Sequence, residues 1–172
     1  MEESERLNEI EKRRDIAFNV ALGKLLETNG KLETIMQTGE AFGRGLFSDY
    51  IKKNTDNWTI KKWFDTTIEN IFEPLGNKFE PLKISNNEIQ SALSTCPLQQ
   101  KTNEPHVASL FTYSYIRGML LSTFPQGEVI MEKTPLGDEK QKTQFIFKTN
   151  ASAKDRFERE RVKDHFNITK KL

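Results

Sequence analysis

The sequence is poor in the residues that most often carry covalent and metal chemistry. Cys96 is its only cysteine, and His106 and His165 are its only histidines. A single cysteine excludes an intramolecular disulfide and suits a reducing compartment. There is no C-x-x-C pair and no H-E-x-x-H motif, so zinc sites of the usual spacing are absent. We therefore expect neither a bound metal nor a cofactor.

The chain also lacks an excess of charge of either sign. Lysine and arginine together number 26, and aspartate and glutamate 25, so the formal net charge is +1. Tight binding to nucleic acid or to an anionic membrane usually requires a marked basic excess. The composition therefore argues against nucleic acid as a direct partner.

Long apolar runs are missing as well. No stretch approaches the roughly 18 apolar residues of a membrane-spanning helix. The N-terminal residues MEESERLNEIEKRR lack the apolar region of a signal peptide. We expect a cytoplasmic protein without a membrane span.

Motifs of the common enzyme classes are not found. The segment GEAFGRG, from Gly39 to Gly45, lacks the spacing of a phosphate-binding loop and lies within a helical pattern. There is no G-x-S-x-G nucleophile elbow. Cys96 and His106 flank one loop, so a nucleophile or metal pair stays open beside the simpler interpretation of a buried thiol and a helix cap. The sequence predicts a protein that is not an enzyme.

Hydrophobic periodicity predicts an α+β fold. It indicates helices over about 5–28, 31–53 and 59–75, strands near 79–84 and 88–96, a loop at 97–105, a helix over about 106–124, strands at 129–133 and 144–149, and a charged helix at 151–172. Pro81 marks its strand as an edge strand. We expect an antiparallel sheet of about four strands packed against a layer of helices, with helical N- and C-terminal extensions. Residues 1–150 would form one domain, and the N-terminal helix is a candidate for dimerisation.

Glycines in the helices indicate close packing. Gly39, Gly43 and Gly45 lie on the second helix, where each costs roughly 1 kcal/mol of helix propensity. Another backbone approaching this helix would explain them, and a helix break near Gly39 is the alternative. The fourth helix is apolar nearly all round, which is typical of a helix buried on several sides, and it contains Gly118.

Aromatic residues are abundant for so small a chain, with twelve Phe, three Tyr and two Trp. The fourth helix alone carries Phe111, Tyr113, Tyr115 and Phe124. Such a set either fills a core or lines an apolar pocket with a few polar groups. The residues alone favour the filled core and leave the pocket open.

From about Gly39 to Lys148 the chain resembles the 4-vinyl reductase domain family. That family is grouped with trafficking subunits of the TRAPP type and, more distantly, with haem nitric-oxide-binding domains. The matching segments are the three early glycines, Cys96-Pro97-Leu98, YIRGMLL around Gly118, GEVIMEK, Gly137-Asp138 and QFIFK. Many members carry a cysteine after the Gly-Asp turn, and residues 139–145 have none, so a cysteine-based metal or redox site would be incomplete here.

The resemblance implies a buried helix lying against the sheet, with Gly118 permitting close approach of the two layers. It also implies a sensory or accessory domain that binds a small hydrophobic ligand. Our leading hypothesis is therefore a non-enzymatic ligand-binding domain that forms a homodimer. The pocket would lie between the early helices and the buried helix, with Cys96 at its rim. The expected lining residues are Phe42, Leu46, Cys96, Phe111, Tyr115 and Met119.

A rival hypothesis is a protein-interaction scaffold like the trafficking subunits. Its interior would be filled by its own side chains or by a constitutive acyl chain, and the helices at both ends would recruit partners.

Overall fold

A computed structural model describes residue 12 and residues 19–29, 31–54, 57–101, 105–134 and 142–150. Most of the predicted first helix before residue 19, the hairpin turn at 135–141 and the charged helix at 151–172 lie outside the described residues.

The described chain contains five helices. Residues 19–27 form α1, followed by α2 (Leu32–Lys53), α3 (Ile60–Thr67), α4 (Pro97–Lys101) and α5 (Pro105–Thr123). None of these helices combines the length and apolar character needed to cross a membrane. Asn29 ends α1 with a φ of 51°, a left-handed conformation that asparagine tolerates.

The structure excludes one alternative that the sequence left open, and it differs from the prediction in two details of the helices. The second helix runs through Gly39 without a break, so the alternative of a broken helix is wrong. The third helix does not stay α-helical, because a π-helical turn at Ile68–Phe72 follows α3. The segment predicted as a loop after Cys96 begins with α4, since Pro97 at the first helical position has its φ already set for a helix.

Four strands form one antiparallel sheet in the order β1-β2-β4-β3. Their bounds are β1 Lys78–Ile84, β2 Glu88–Thr95, β3 Glu128–Thr134 and β4 Lys142–Lys148. The predicted α+β class with a four-stranded antiparallel sheet is therefore confirmed. Pro81 lies in β1, which is an edge strand as predicted.

The register divides the sheet into two faces. Ile89, Phe147 and Val129 lie side by side on β2, β4 and β3. The Phe147 ring lies 5.4 Å from the ring of Trp63 and 5.6 Å from that of Phe64, so this face packs against the helices. We call it the helix face, and the opposite side the outer face.

Helices α2 and α5 pack backbone against backbone. A Cβ atom added at Gly43 would overlap the carbonyl group of Tyr115, and one at Gly39 would come within 2.5 Å of the Ser114 Cβ. A Cβ atom added at Gly118 would overlap the carbonyl oxygen of Glu40. Glycines on both helices therefore allow the two axes to approach closely.

The glycine findings correct two expectations. Gly118 lies against Glu40 of α2, whereas the sequence prediction placed the sheet there. Among the described residues beyond its own stretch of helix, none has an atom within 4 Å of a Cβ added at Gly45, so close packing with them does not explain this glycine. Because an apolar helix buried on several sides has more than one neighbour, its sequence alone does not tell which neighbour a glycine faces.

Candidate functional site

Two strand ends bring a buried asparagine and the cysteine to the same end of the sheet. Asn77 directly precedes β1 and Cys96 directly follows β2, and the adjoining residues Lys78 and Thr95 are paired across the two strands. Gly76, with a φ of 77°, packs against the ring of Pro97, so the residues before β1 contact the residues after β2. The antiparallel register therefore places Asn77 and Cys96 in the same region of the core.

Helix α5 supplies two further polar groups to this region. Thr112 and Tyr115 are three residues apart and so share one helix face. The amide nitrogen Nδ2 of Asn77 donates a hydrogen bond of 2.6 Å to the Tyr115 hydroxyl oxygen. The Cys96 sulfur lies 3.6 Å from the Thr112 hydroxyl oxygen. We call Asn77, Cys96, Thr112 and Tyr115 the polar cluster.

Burial keeps the ionisable groups of the polar cluster neutral. Cys96 is 5% exposed and Tyr115 is 0% exposed. Burial raises the pKa of the Cys96 thiol above its ordinary value of 9.0, and the hydrogen bond to Thr112 opposes part of that rise. Burial also raises the pKa of Tyr115 well above its ordinary value of 10.0, an effect to which the nearby Cys96 adds. A thiolate nucleophile or a phenolate base near neutral pH is therefore disfavoured.

One acceptor in the polar cluster has no partner among the described residues. Asn77 is 2% exposed, and its side-chain oxygen Oδ1 makes no hydrogen bond to any of them. Buried polar atoms are usually satisfied, so an unpartnered amide oxygen can accept a hydrogen bond from a bound group or an ordered water.

Three of the predicted lining residues form a cluster of aromatic rings. The ring centroids of Phe42 and Phe111 are 5.9 Å apart, those of Phe42 and Tyr115 are 6.0 Å apart, and those of Phe111 and Tyr115 are 5.9 Å apart. Phe42 is partly buried on α2, whereas Phe111 and Tyr115 are fully buried on α5. We call these three residues the aromatic triad. Its rings occupy space between α2 and α5, where the sequence predicts a pocket.

The other predicted lining residues lie on the same two helices or at the strand end. Leu46 is partly buried on α2, and Met119 is fully buried on α5. Cys96 lies inside the molecule and not at a solvent-open rim. The role of these residues in binding a ligand stays a prediction.

Sequence reasoning missed Asn77 and Thr112. Asn77 follows Gly76 just after the predicted helix at 59–75, and an asparagine at that place is typical of a helix end. Thr112 could have been noticed because it lies in the middle of a helix that is apolar nearly all round. A hydroxyl group buried there needs a hydrogen-bond partner. The long-range pairing of Asn77 with Tyr115 has no local signature.

A separate cleft opens where α5 turns into β3. Its volume is about 340 Å³, and its lining residues are Thr123, Phe124, Pro125, Gln126, Thr149 and Asn150. None of the six predicted lining residues borders it. Among the described residues, no group of three His, Cys, Asp or Glu side chains is arranged to hold a metal ion.

Comparisons with known proteins leave the family open. No protein-family model matches the chain, and no curated protein matches it. Among solved structures, the chain is similar to trafficking protein particle complex subunit 3 from Naegleria fowleri, in a structure covalently bound to palmitic acid. The likeness covers 80% of this chain and 94% of that one, at 15% identity and a TM-score of 0.49. At these values it carries no argument about family or function, so membership of the 4-vinyl reductase family stays a prediction.

Proposed function

We propose that this protein is a non-enzymatic protein-interaction module whose interior is filled by its own side chains. The observation that carries the proposal is the packing between α2 and α5. There the backbones approach each other at Gly43 and Gly118, and the aromatic triad fills the adjoining space with its own ring contacts. A region packed in this way leaves the outer surface as the place where the protein acts.

The polar cluster supports the non-enzymatic part of the proposal. Its thiol and phenol are buried, and the pKa of each is raised, so both are neutral near neutral pH. A catalytic acid or base works best with a pKa near the operating pH and within reach of a substrate. The polar cluster serves instead as a set of hydrogen bonds that joins the end of the sheet to α5.

The partner that we propose is a second copy of the chain, bound through α1. Val20 is 49% exposed and Leu26 is 66% exposed on this helix, while Ala21 and Leu25 face the core. A short amphipathic helix that also exposes large apolar side chains is suited to contact with another apolar surface.

Light scattering after size exclusion tests the homodimer. We expect the parent to have twice the mass of one chain, and Leu26→Glu to shift it towards the monomer, because a buried unpaired carboxylate is costly at an interface. Leu82→Glu is the matched control, since Leu82 is 59% exposed on β1, and it should leave the mass unchanged. A monomeric parent would overturn the homodimer.

A second candidate function is binding of a small hydrophobic ligand, and one observation favours it. The side-chain oxygen Oδ1 of Asn77 is buried beside Tyr115 and has no hydrogen-bond partner among the described residues. A ligand with one hydrogen-bond donor at its buried end would satisfy this oxygen.

Native mass spectrometry of the purified protein separates the two candidates. The self-filled interior predicts the mass of the polypeptide alone. A passenger mass that disappears on denaturation would support the second candidate and contradict the first. Phe111→Trp, which adds volume to the aromatic triad, should then lower the passenger's occupancy.

A further inference from the structure

The outer face of the sheet is defined by the strand register. Ile130 on β3 is paired with Ile146 on β4, which is paired with Gln90 on β2. Residues paired directly across antiparallel strands lie on the same face, and successive residues alternate between faces. Because Val129 and Met131 lie on the helix face, Ile130 lies on the outer face.

Several outer-face residues are buried although the helices lie on the other side. Ile130 is 2% exposed, Ala92 is 5% exposed and Glu128 is 1% exposed. All five helices contribute to the core on the helix face, and neither Ile130 nor Ala92 belongs to that core. An isoleucine on the bare face of an edge strand would be open to solvent, so another part of the protein covers it.

We propose that the C-terminal segment, residues 151–172, packs across the outer face of the sheet. Position is the first argument. Lys148, at the end of β4, is paired with Glu128, so the chain leaves the sheet at the end where the buried outer-face residues of β3 lie. The backbone N–H of Thr149 bonds to the carbonyl oxygen of Asn87 at 3.0 Å and fixes the exit there. The loop at 135–141 joins the opposite end of the hairpin, where Thr134 is paired with Lys142.

Composition is the second argument. Among the apolar residues of the C-terminal segment, Phe157, Val162 and Phe166 are available to cover Ile130 and Ala92. Seven lysines and arginines against four acidic residues give it a local charge of +3. By register the outer face carries one more acidic than basic residue, with Glu80, Glu88, Glu128 and Glu132 against Lys83, Lys142 and Lys148. The opposite charges favour docking of the segment on this face.

Length is the third argument. The C-terminal segment has 22 residues, which as a helix would span about 33 Å. Four strands at about 4.8 Å spacing occupy less than that width. The segment is therefore long enough to reach Ile130 on β3 and Ala92 on β2 from the end of β4, while the outer-face residues of β1 stay exposed.

Thiol labelling of the full chain tests the proposal. Ile130→Cys should react with iodoacetamide about tenfold or more slowly than Glu132→Cys, an exposed position on the same strand and face. Adding Phe157→Ser, Val162→Ser and Phe166→Ser together should raise the rate at position 130 about tenfold or more. Cys96 is the internal reference, because its buried thiol should stay unreactive throughout.

Two outcomes would overturn the proposal. Fast labelling at position 130 with the segment unaltered would mean that nothing covers the face. Slow labelling at position 130 both before and after the triple substitution would mean that another segment covers it. If the triple substitution also makes Cys96 reactive, it has loosened the core, and the single substitution Phe157→Ser is used in its place. A faster labelling rate at position 130 with Cys96 still unreactive then supports the proposal. An unchanged rate at position 130 overturns it.

Discussion

At the scale of single residues, glycines decide how closely α2 and α5 approach each other. Gly118→Ala places a methyl group against the Glu40 carbonyl, where backbone and not a flexible side chain must move. We expect the free energy of unfolding to fall by about 1–3 kcal/mol. Urea denaturation followed by circular dichroism measures the change.

Gly45→Ala is the control for that substitution. Gly45 lies on α2, and no other described element has an atom within 4 Å of an added Cβ, so alanine should raise stability by up to about 1 kcal/mol through helix propensity. Equal losses at Gly118 and Gly45 would contradict the proposed close contact.

The buried phenol and thiol predict a dependence of stability on pH. Both pKa values are raised in the folded protein, so the unfolded chain loses these protons first as the pH rises. Their stabilising contribution is complete below the unfolded pKa values and is lost as pH increases. Between about pH 8 and pH 11, each group should lower the free energy of unfolding by at most about 1.4 kcal/mol per pH unit.

Tyr115→Phe and Cys96→Ser provide the comparison for the pH dependence. Each variant should lose less stability than the parent on going from neutral to alkaline pH, whatever its stability at neutral pH. Urea denaturation at several pH values measures this difference. Parallel profiles for parent and variants would contradict the raised pKa values.

Much of the residue-scale picture could be predicted from the sequence, and the rest depends on tertiary contacts. Gly43 and Gly118 signalled close approach because glycine in a helix interior needs a reason. The prediction that Gly118 faces the sheet was wrong, because α5 has neighbours on more than one side. Asn77 escaped notice because its partner, Tyr115, is 38 positions away in the chain.

At the scale of elements, an ion pair links α2 to α5 beside the glycine contacts. Arg117 bonds to Glu40, and their side chains are 17% and 24% exposed. Partly buried pairs are less screened by solvent than surface pairs. A double-mutant cycle of Glu40→Gln and Arg117→Met should give a coupling energy of about 1 kcal/mol.

The exposed pair Lys61–Asp65 on α3 is the matched control. Its side chains are 62% and 55% exposed, and the two residues are one helical turn apart. The cycle of Lys61→Met and Asp65→Asn should give no more than about 0.5 kcal/mol. A larger coupling in α3 than between α2 and α5 would contradict this ranking.

The elements that the sequence predicted well are those with strong local signals. Helix α2 and the hairpin of β3 and β4 follow their hydrophobic periods, α5 is a long apolar run, and Pro81 identified the edge strand. The π-helical turn after α3 was not predictable, because the backbone N–H of Glu73 bonds to Ile68 and that of Asn77 to Phe72, five residues back in each case. The turn places Ile71 and Phe72 in the core, and no residue of the local sequence marks the change of hydrogen-bonding pattern.

At the scale of the whole molecule, helices and sheet share one apolar core. Phe47 contacts Trp63, Trp63 contacts Phe147, and Phe147 contacts Phe79, so ring contacts run from α2 through α3 to β4 and β1. A shared core predicts that these elements unfold together.

Unfolding followed by two probes tests the predicted single domain. Trp63 is fully buried and Trp58 is partly buried, so tryptophan fluorescence reports on the core, and far-ultraviolet circular dichroism reports on the helices. The two urea transitions should coincide. Separate midpoints would indicate that the helices and the sheet unfold independently.

The glycine contacts between α2 and α5 also fix the register of the two helices. Sliding α2 along its axis by one turn would bring the side chain of Phe47 to the place of Gly43, against the Tyr115 carbonyl, where no side chain fits. These contacts therefore favour a single register between α2 and α5. We therefore expect α2 and α5 to move together as one rigid pair, because a shift of one helix alone would break these contacts.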